Sequence, residues 1–296
     1  MKINFFIVLA FYLNFSFSQN YSYKDLPILE SGRIKPFSTF AENQLLVLYG
    51  KRSFKTDSSK VEAVDWMLDI VSNPEKRIDQ KVFYLSKWDN SPDVEISLGL
   101  ANEDHYYSYQ EIFEGLSENR DFVVNLLNIS DDEKSIVDKQ IVNVYKKWDL
   151  YDKISYGLIV LLPLINIEND IIKEYLLTNK NKVSYSYLIR NLEKFKFLFK
   201  QLVEVDENDW NEVHSKTAEI FNEFQNIEYI ISQHKSSFDY FKIIPPDMND
   251  TDEWFSPLNA LLLNRTDKQN ILLESYENFF YSYVDDDVAK INQLIQ

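Results

Sequence analysis

Apolar residues recur three and four apart along most of this chain, the spacing that puts them on one face of an α-helix. Phe37, Phe40, Ala41, Leu45 and Leu48 make the first such face, with Pro36 suited to the first helical position and Gly50 placed to end it. Val61, Val64, Leu68 and Val71 predict a second helix that Pro74 stops. The pairs Ser108 with Glu111 and Ser130 with Glu133 have capping-box spacing, so each predicts a helix start. Behind the second pair, Val137, Ile141, Val144, Trp148, Tyr151, Ser155, Leu158 and Leu162 alternate four and three apart up to Pro163. That stripe predicts one long central helix. Further helices are expected at 170–178, 185–202 and 208–233, the last with Trp210, Val213, Thr217, Ile220, Phe224 and Ile231 on one face. The Ile243-Ile244-Pro245-Pro246-Asp247 stretch must be extended, and Ser256-Pro257 then restarts a helix as cap and first residue. Helical stretches at 269–284 and 287–295 close the chain.

Two segments break this period. Residues 21–35 hold Pro27, Gly32 and the basic Arg33 and Lys35, and read as an extended, well-punctuated opening. An apolar run at Val82–Leu85, with alternation at Val94, Ile96 and Leu98, predicts a small hairpin around Asn90-Ser91-Pro92. It is the one strand signal. No internal repeat or low-complexity linker divides the chain. The expectation is a mostly α fold: a single irregular helical domain over residues 19–296, with a long central helix and at most one small β-hairpin.

Composition agrees with helix and narrows the chemistry. Five Gly and 8 Pro among 296 residues leave few turn signals, while 21 Phe, 19 Tyr and 5 Trp supply a large aromatic core. The net charge of −16 repels a phosphate backbone and an anionic lipid surface, so nucleic acid is not an expected partner. With no Cys, the chain has no disulfide, Cys-ligated zinc, iron–sulfur cluster, thiol nucleophile or Cys-x-x-Cys-His haem attachment.

The first eighteen residues have the form of a secretory leader. Lys2 precedes an apolar run from Ile3 to Phe15, and Ser16-Phe17-Ser18 supplies small residues for cleavage before Gln19. Residues 1–18 are thus expected to be a signal peptide cleaved after Ser18, or an uncleaved signal anchor, with the body outside the cytoplasm. No Cys follows that point to carry a lipid. The most apolar later segment, Ile154 to Ile167, is interrupted by Ser155, Gly157, Pro163 and Asn166 and reads as core helix.

Catalytic motifs are missing. There is no Gly-x-Gly-x-x-Gly, no Walker loop and no Gly-x-Ser-x-Gly elbow. Acidic pairs such as Asp131-Asp132 and Glu103-Asp104 are what 47 carboxylates produce by adjacency, and they read as solvated caps and faces. The three histidines, His105, His214 and His234, never stand three or four apart, so no helical His pair can hold a metal or haem. His105 is the one ligand candidate, because Glu103 and Asp104 precede it and Tyr106, Tyr107 and Tyr109 follow. Its plainer reading is a loop histidine beside a capping box. His214 reads as a partly buried packing residue, and His234 as a cap charge near a helix end.

The segment Leu26-Pro27-Ile28-Leu29-Glu30-Ser31-Gly32-Arg33-Ile34-Lys35-Pro36-Phe37-Ser38-Thr39-Phe40-Ala41 resembles the extracytoplasmic domain of the large cytochrome c biogenesis proteins of Bacteroidetes. Gly50-Lys51, Ala63-Val64-Asp65-Trp66, Ile243-Ile244-Pro245-Pro246 and Trp254-Phe255-Ser256-Pro257-Leu258-Asn259-Ala260 look like the same domain in the same order, over roughly residues 24–296. The resemblance implies haem delivery and presentation of apocytochrome c beside a membrane-embedded, CcsA-like and ResB-like haem-handling partner. Family members carry multi-spanning membrane segments with a tryptophan-rich loop and flanking histidines. Nothing of that kind lies within this sequence, where Trp66, Trp88, Trp148, Trp210 and Trp254 stand singly. Haem ligation is therefore carried over to no residue. No tightly bound cofactor is expected, and haem enters only through the complex.

The residues the resemblance singles out are Gly32, Arg33, Lys35, Pro36, Thr39, Trp254 and Pro257. They have two physical readings. In one, Arg33 locks the fold by pairing with a carboxylate near Trp254; in the other, Arg33 and Lys35 meet a haem propionate or a partner carboxylate. The leading expectation is a non-enzymatic extracytoplasmic module of cytochrome c maturation. The alternative is a periplasmic or secreted binding protein whose aromatic side chains stack on a glycan or peptide.

Overall fold

The computed structural model describes residues 22–56, 59–73, 76–85, 91–100, 105–246, 253–263 and 266–284. The expected leader and the 287–295 helix lie outside these residues. After a single 3-10 turn (Tyr23–Asp25), the chain forms a tight antiparallel hairpin of β1 (Pro27–Glu30) and β2 (Arg33–Pro36). Ser31 and Gly32, both with positive φ (51° and 73°), make its two-residue turn, the geometry that matches strand twist and that Gly adopts without strain. The opening segment is extended as expected from Pro27 on, where it is paired as a hairpin, but begins with the 3-10 turn at 23–25. Pro36 caps α1 (Phe37–Tyr49), and Gly50 closes it in the left-handed region.

β3 (Ser53–Lys55) and β4 (Lys60–Glu62) lead to α2 (Ala63–Ser72), so Val61, expected in that helix, instead faces Phe54 across a two-stranded ladder. A short α3 (Lys76–Asp79) precedes β5 (Phe83–Tyr84), which pairs with β6 (Tyr106–Tyr107). The hairpin expected around Asn90-Ser91-Pro92 is corrected. Residues 91–97 form helix α4 (Ser91–Ser97), with Pro92 in its first turn, and residues 86–90 lie outside the described set. Val94 and Leu98, four apart, are buried while Ile96 is 78% exposed, so the alternation belonged to a helix face.

Next come α5 (Tyr109–Glu118), α6 (Arg120–Asn128) and the long α7 (Ile136–Tyr156). The Ser108–Glu111 capping box forms as predicted. At Ser130, Glu133 does accept from the serine amide, but residues 131–133 make only one turn, and a second box, Ser135 with Asp138, starts α7. As predicted, α7 is the hub, packing against α1, α2, α4, α5 and α6. It ends at Gly157, earlier than its apolar stripe. A Cβ there would lie 2.6 Å from Phe241 Cδ2 and 2.9 Å from the Ser237 carbonyl, so another segment crosses where the helix would continue. The stripe runs on through a buried 3-10 turn, Ile159–Leu161.

The later half adds α8 (Asp170–Leu176), held beside β7 (Ile165–Asn166) and β8 (Lys182–Val183). The single helix expected over 185–202 is two, α9 (Tyr185–Arg190) and α10 (Leu192–Val203), which part at Asn191. α11 (Glu212–Gln233) lies along α10, and α12 (Pro257–Leu262) and α13 (Asp267–Val284) complete the described chain. Buried residues from Ile28 to Phe280 form one hydrophobic cluster. The fold is mostly α, with short two-stranded pairings rather than one hairpin.

Candidate functional site

Three of the five stretches that carry the resemblance, 26–41, 243–246 and 254–260, come from opposite ends of the described chain and meet. The Leu29 amide donates to the Lys242 carbonyl at 2.9 Å, adding residue 242 to the outer edge of β1. Ile244 and Phe255 then exchange backbone hydrogen bonds of 3.0 and 2.8 Å, which joins the late proline segment to the stretch before α12. Rings close the join: Phe37 and Phe40 lie 6.4 and 5.7 Å from Phe241, and Phe40 lies 5.6 Å from Tyr240. Asp239 links the same parts by accepting from Lys242 Nζ at 2.5 Å and from Asn259 Nδ2 at 2.6 Å. We call this arrangement the clasp.

Each candidate residue has a definite place in it. Gly32 forms the hairpin turn, and its absent Cβ would meet nothing within 4 Å, so its role is backbone conformation and not close approach. Pro36 ends β2 and stands at the N-cap position of α1, one residue before the first helical position expected for it and without a side-chain capping bond, while Thr39 is exposed on the first turn of α1. Lys35 pairs with Glu30 across the hairpin, and Glu30 also accepts from Gln44 Nε2 at 2.5 Å, which fixes the hairpin to α1. Burial, with the charges of Glu30 and Asp149 beside it, pushes the Tyr240 phenol far above its ordinary range. Trp254 is half-buried. Pro257 is buried at the first position of α12, where Ser256 Oγ accepts from the Asn259 amide.

Arg33 shows no partner among the described residues. It is exposed at the hairpin tip and forms no ion pair with any described residue, while Asp247, Asp250 and Asp252, carboxylates that lead up to Trp254, lie outside the described residues; the join that is described consists of backbone pairing and ring packing. Beside Arg33, Ile34 is 62% exposed. An exposed guanidinium next to an exposed apolar side chain can grip a carboxylate on an apolar body. Below it, the void between the hairpin, α2 and α13 is only about 20 Å³, bounded by Leu26, Pro27, Phe37, Ile243 and Phe279 among others. That is one water-sized sphere, far below a ligand pocket of roughly 300–1,000 Å³. The clasp therefore offers an outer contact surface.

The histidines lie elsewhere. His105, in a positive-φ conformation (55°), turns Nδ1 to Glu95 Oε1 at 2.8 Å, where the Tyr107 hydroxyl also donates at 2.8 Å. Its neighbours Glu103 and Asp104 are outside the described residues. His214 does not simply pack: it is the third residue of an α11 capping box, its Nδ1 accepting from the Asn211 amide at 3.2 Å. His234 caps the C-terminal end of α11, stacks 3.9 Å from Tyr156, and places Nδ1 2.9 Å from Asp152 Oδ2. Among the described residues, no group of three or more His, Asp or Glu side chains is arranged to hold a metal.

Sequence reasoning missed the Asp152 cluster. Asp152 is buried on α7 and accepts from His234, from Ser237 Oγ at 2.9 Å and from the Tyr109 hydroxyl at 3.3 Å. Its signal was present: a carboxylate one position from Tyr151, inside the apolar stripe. Serine and histidine both turn to the same carboxylate oxygen and not to each other, so this is no nucleophile relay. It fastens α7 to the turn at 237–239.

Fold and site together define a mostly α protein whose opening hairpin is clasped to a late proline segment. No protein-family model matches the chain, and a search of curated proteins finds no match.

Proposed function

We propose that this chain is a non-enzymatic extracytoplasmic module of c-type cytochrome maturation, exported by residues 1–18 and acting beside a membrane-embedded CcsA-like and ResB-like partner to which it presents apocytochrome c. One observation carries the reading. Three of the five stretches on which the resemblance rests, 26–41, 243–246 and 254–260, are brought together by the Leu29–Lys242 and Ile244–Phe255 pairings, as parts of one functional motif would be. The net charge of −16 suits a lysine-rich apocytochrome. Arg33, exposed and without an ion pair to any described residue, offers a contact for a haem propionate or a partner carboxylate. In this reading haem touches the surface without axial ligation.

Deleting the gene in its host and staining for haem-bearing c-type cytochromes tests the role: the stain falls if the reading holds, and normal levels overturn it. Titrating hemin into the purified protein tests the contact. A broad, salt-sensitive Soret shift that weakens in Arg33→Ala is expected. A sharp six-coordinate low-spin spectrum at one equivalent, abolished by His105→Ala, overturns it.

A further inference from the structure

A second surface stands apart from the clasp. α5 and α6 part at Asn119 and both rest on α7, and between the three helices lies a groove of about 250 Å³. One face of α6 lines it, through Arg120, Val123, Val124 and Leu127, at spacings of three and four. Phe113 of α5 and Trp148 of α7 form the opposite wall. Their rings lie 6.3 Å apart, and each stacks on Tyr109, at 6.3 and 5.8 Å, which leaves the aromatic wall little freedom.

The groove is apolar where a surface helix should be polar. Phe113, Val124 and Leu127 are 43%, 47% and 38% exposed, a contiguous patch and not scattered single residues. Trp148 keeps a buried indole N–H with no acceptor among the described residues, an unmade hydrogen bond of the kind that native structures rarely leave. At the edge stands Arg120, exposed and without an ion pair to any described residue in a chain of 47 acids. An apolar trough with aromatic anchors and an exposed guanidinium at its edge is complementary to an apolar segment that carries a carboxylate. Its volume falls short of the roughly 300–1,000 Å³ that encloses a drug-sized molecule, so it fits individual side chains of a peptide.

We propose that the α5–α6–α7 groove docks a short amphipathic helix of a protein partner, whose apolar side chains fill the groove while an acidic side chain meets Arg120. The site is independent of the clasp and of the cytochrome reading. The probe is a fluorescent synthetic helical peptide of about twelve residues, with leucines three and four apart and glutamates at one end. A twin with lysines in place of the glutamates is the control, and decanoate is a competitor. Anisotropy with the full chain is expected to show the glutamate peptide binding about tenfold more tightly than its twin. Arg120→Glu reverses that preference, a readout that a merely structural residue would not move, and Val124→Asp abolishes binding of both peptides. Both positions are exposed, so neither variant disturbs the core. Equal binding of the two peptides, binding of neither, or a preference that survives Arg120→Glu overturns the proposal. So does binding of decanoate without the peptide, which would make the groove an acyl-chain site.

Discussion

The amide of Leu29 and the carbonyl of Lys242 are joined at 2.9 Å, so a strand that opens the described chain takes its outer neighbour from a segment near the other end. A lone strand pair is marginal in water. This hairpin is held because Ile28 is fully buried, Phe37 meets Phe241, and Glu30 collects Lys35 and Gln44. The polar bonds orient it and the apolar rings hold it down, which leaves the tip at Arg33 facing outward.

Gly157→Ala tests the close crossing that ends α7. On a free helix the change would gain up to about 1 kcal/mol, since Gly157 has ordinary right-handed helical φ and ψ. Here the added methyl would press on Phe241 at 2.6 Å and on the Ser237 carbonyl at 2.9 Å, and overpacking costs about 1–3 kcal/mol. Net destabilisation is expected in urea unfolding. A more stable variant would show that the segment yields easily.

Asp152→Ala removes the acceptor shared by His234, Ser237 and Tyr109. Leaving buried donors unpaired makes the expected loss about 3 kcal/mol, read by chemical denaturation. In a double-mutant cycle, Ser237→Ala should cost clearly less once Asp152 is gone, because the two share a bond. Additive losses would contradict the shared cluster.

Helix faces were legible because burial on a helix repeats in sequence: α1, α2, α7 and α12 appear where Phe40 and Leu45, Val64 and Leu68, Ile141 and Val144, and the Ser256-Pro257 cap announce them. Short strands were legible only in part. The apolar run at Val82–Leu85 marked β5, but its partner β6 lies more than twenty residues on, and Phe83 opposite Tyr107 leaves no local period from which to read the pairing. At Val94 and Leu98 three alternating positions fitted strand and helix alike, and only burial separates them. The clasp was half visible. Its segments stood out as motifs, but Leu29–Lys242 is a backbone bond that no side-chain pattern records.

Alkaline pH should unfold the protein through its buried phenols. Burial first, and then the charge and hydrogen bond of Glu228, push Tyr185 from 10.0 up to about 12. Burial also raises Tyr23, Tyr240, Tyr276 and Tyr281. The folded state therefore holds protons that the unfolded chain releases. This contribution to stability is fully present below pH 10.0 and is lost as pH rises through about 12. Urea midpoints across that window should fall, with phenolate absorbance appearing as the chain unfolds. Tyr185→Phe should lessen the fall. An unchanged slope in that variant would remove Tyr185 from the cause.

Arg33 and Glu30 sit on the same hairpin and should separate contact from stability. Glu30 is half-buried and serves both Lys35 and Gln44, so Glu30→Ala leaves two donors unpaired and should lower unfolding stability by about 1 kcal/mol. Arg33 is exposed and forms no ion pair with any described residue, so Arg33→Ala should stay within about 0.5 kcal/mol of the parent. If the hairpin tip contacts a partner carboxylate or a haem propionate, the order reverses in the cell. Arg33→Ala then lowers haem-stained c-type cytochromes at normal protein level, and Arg33→Lys restores part of the loss because the charge survives without the planar fork. Should Arg33→Ala instead unfold the protein, the clasp depends on a side-chain lock after all; should it change neither stability nor cytochrome yield, the exposed tip is not the contact.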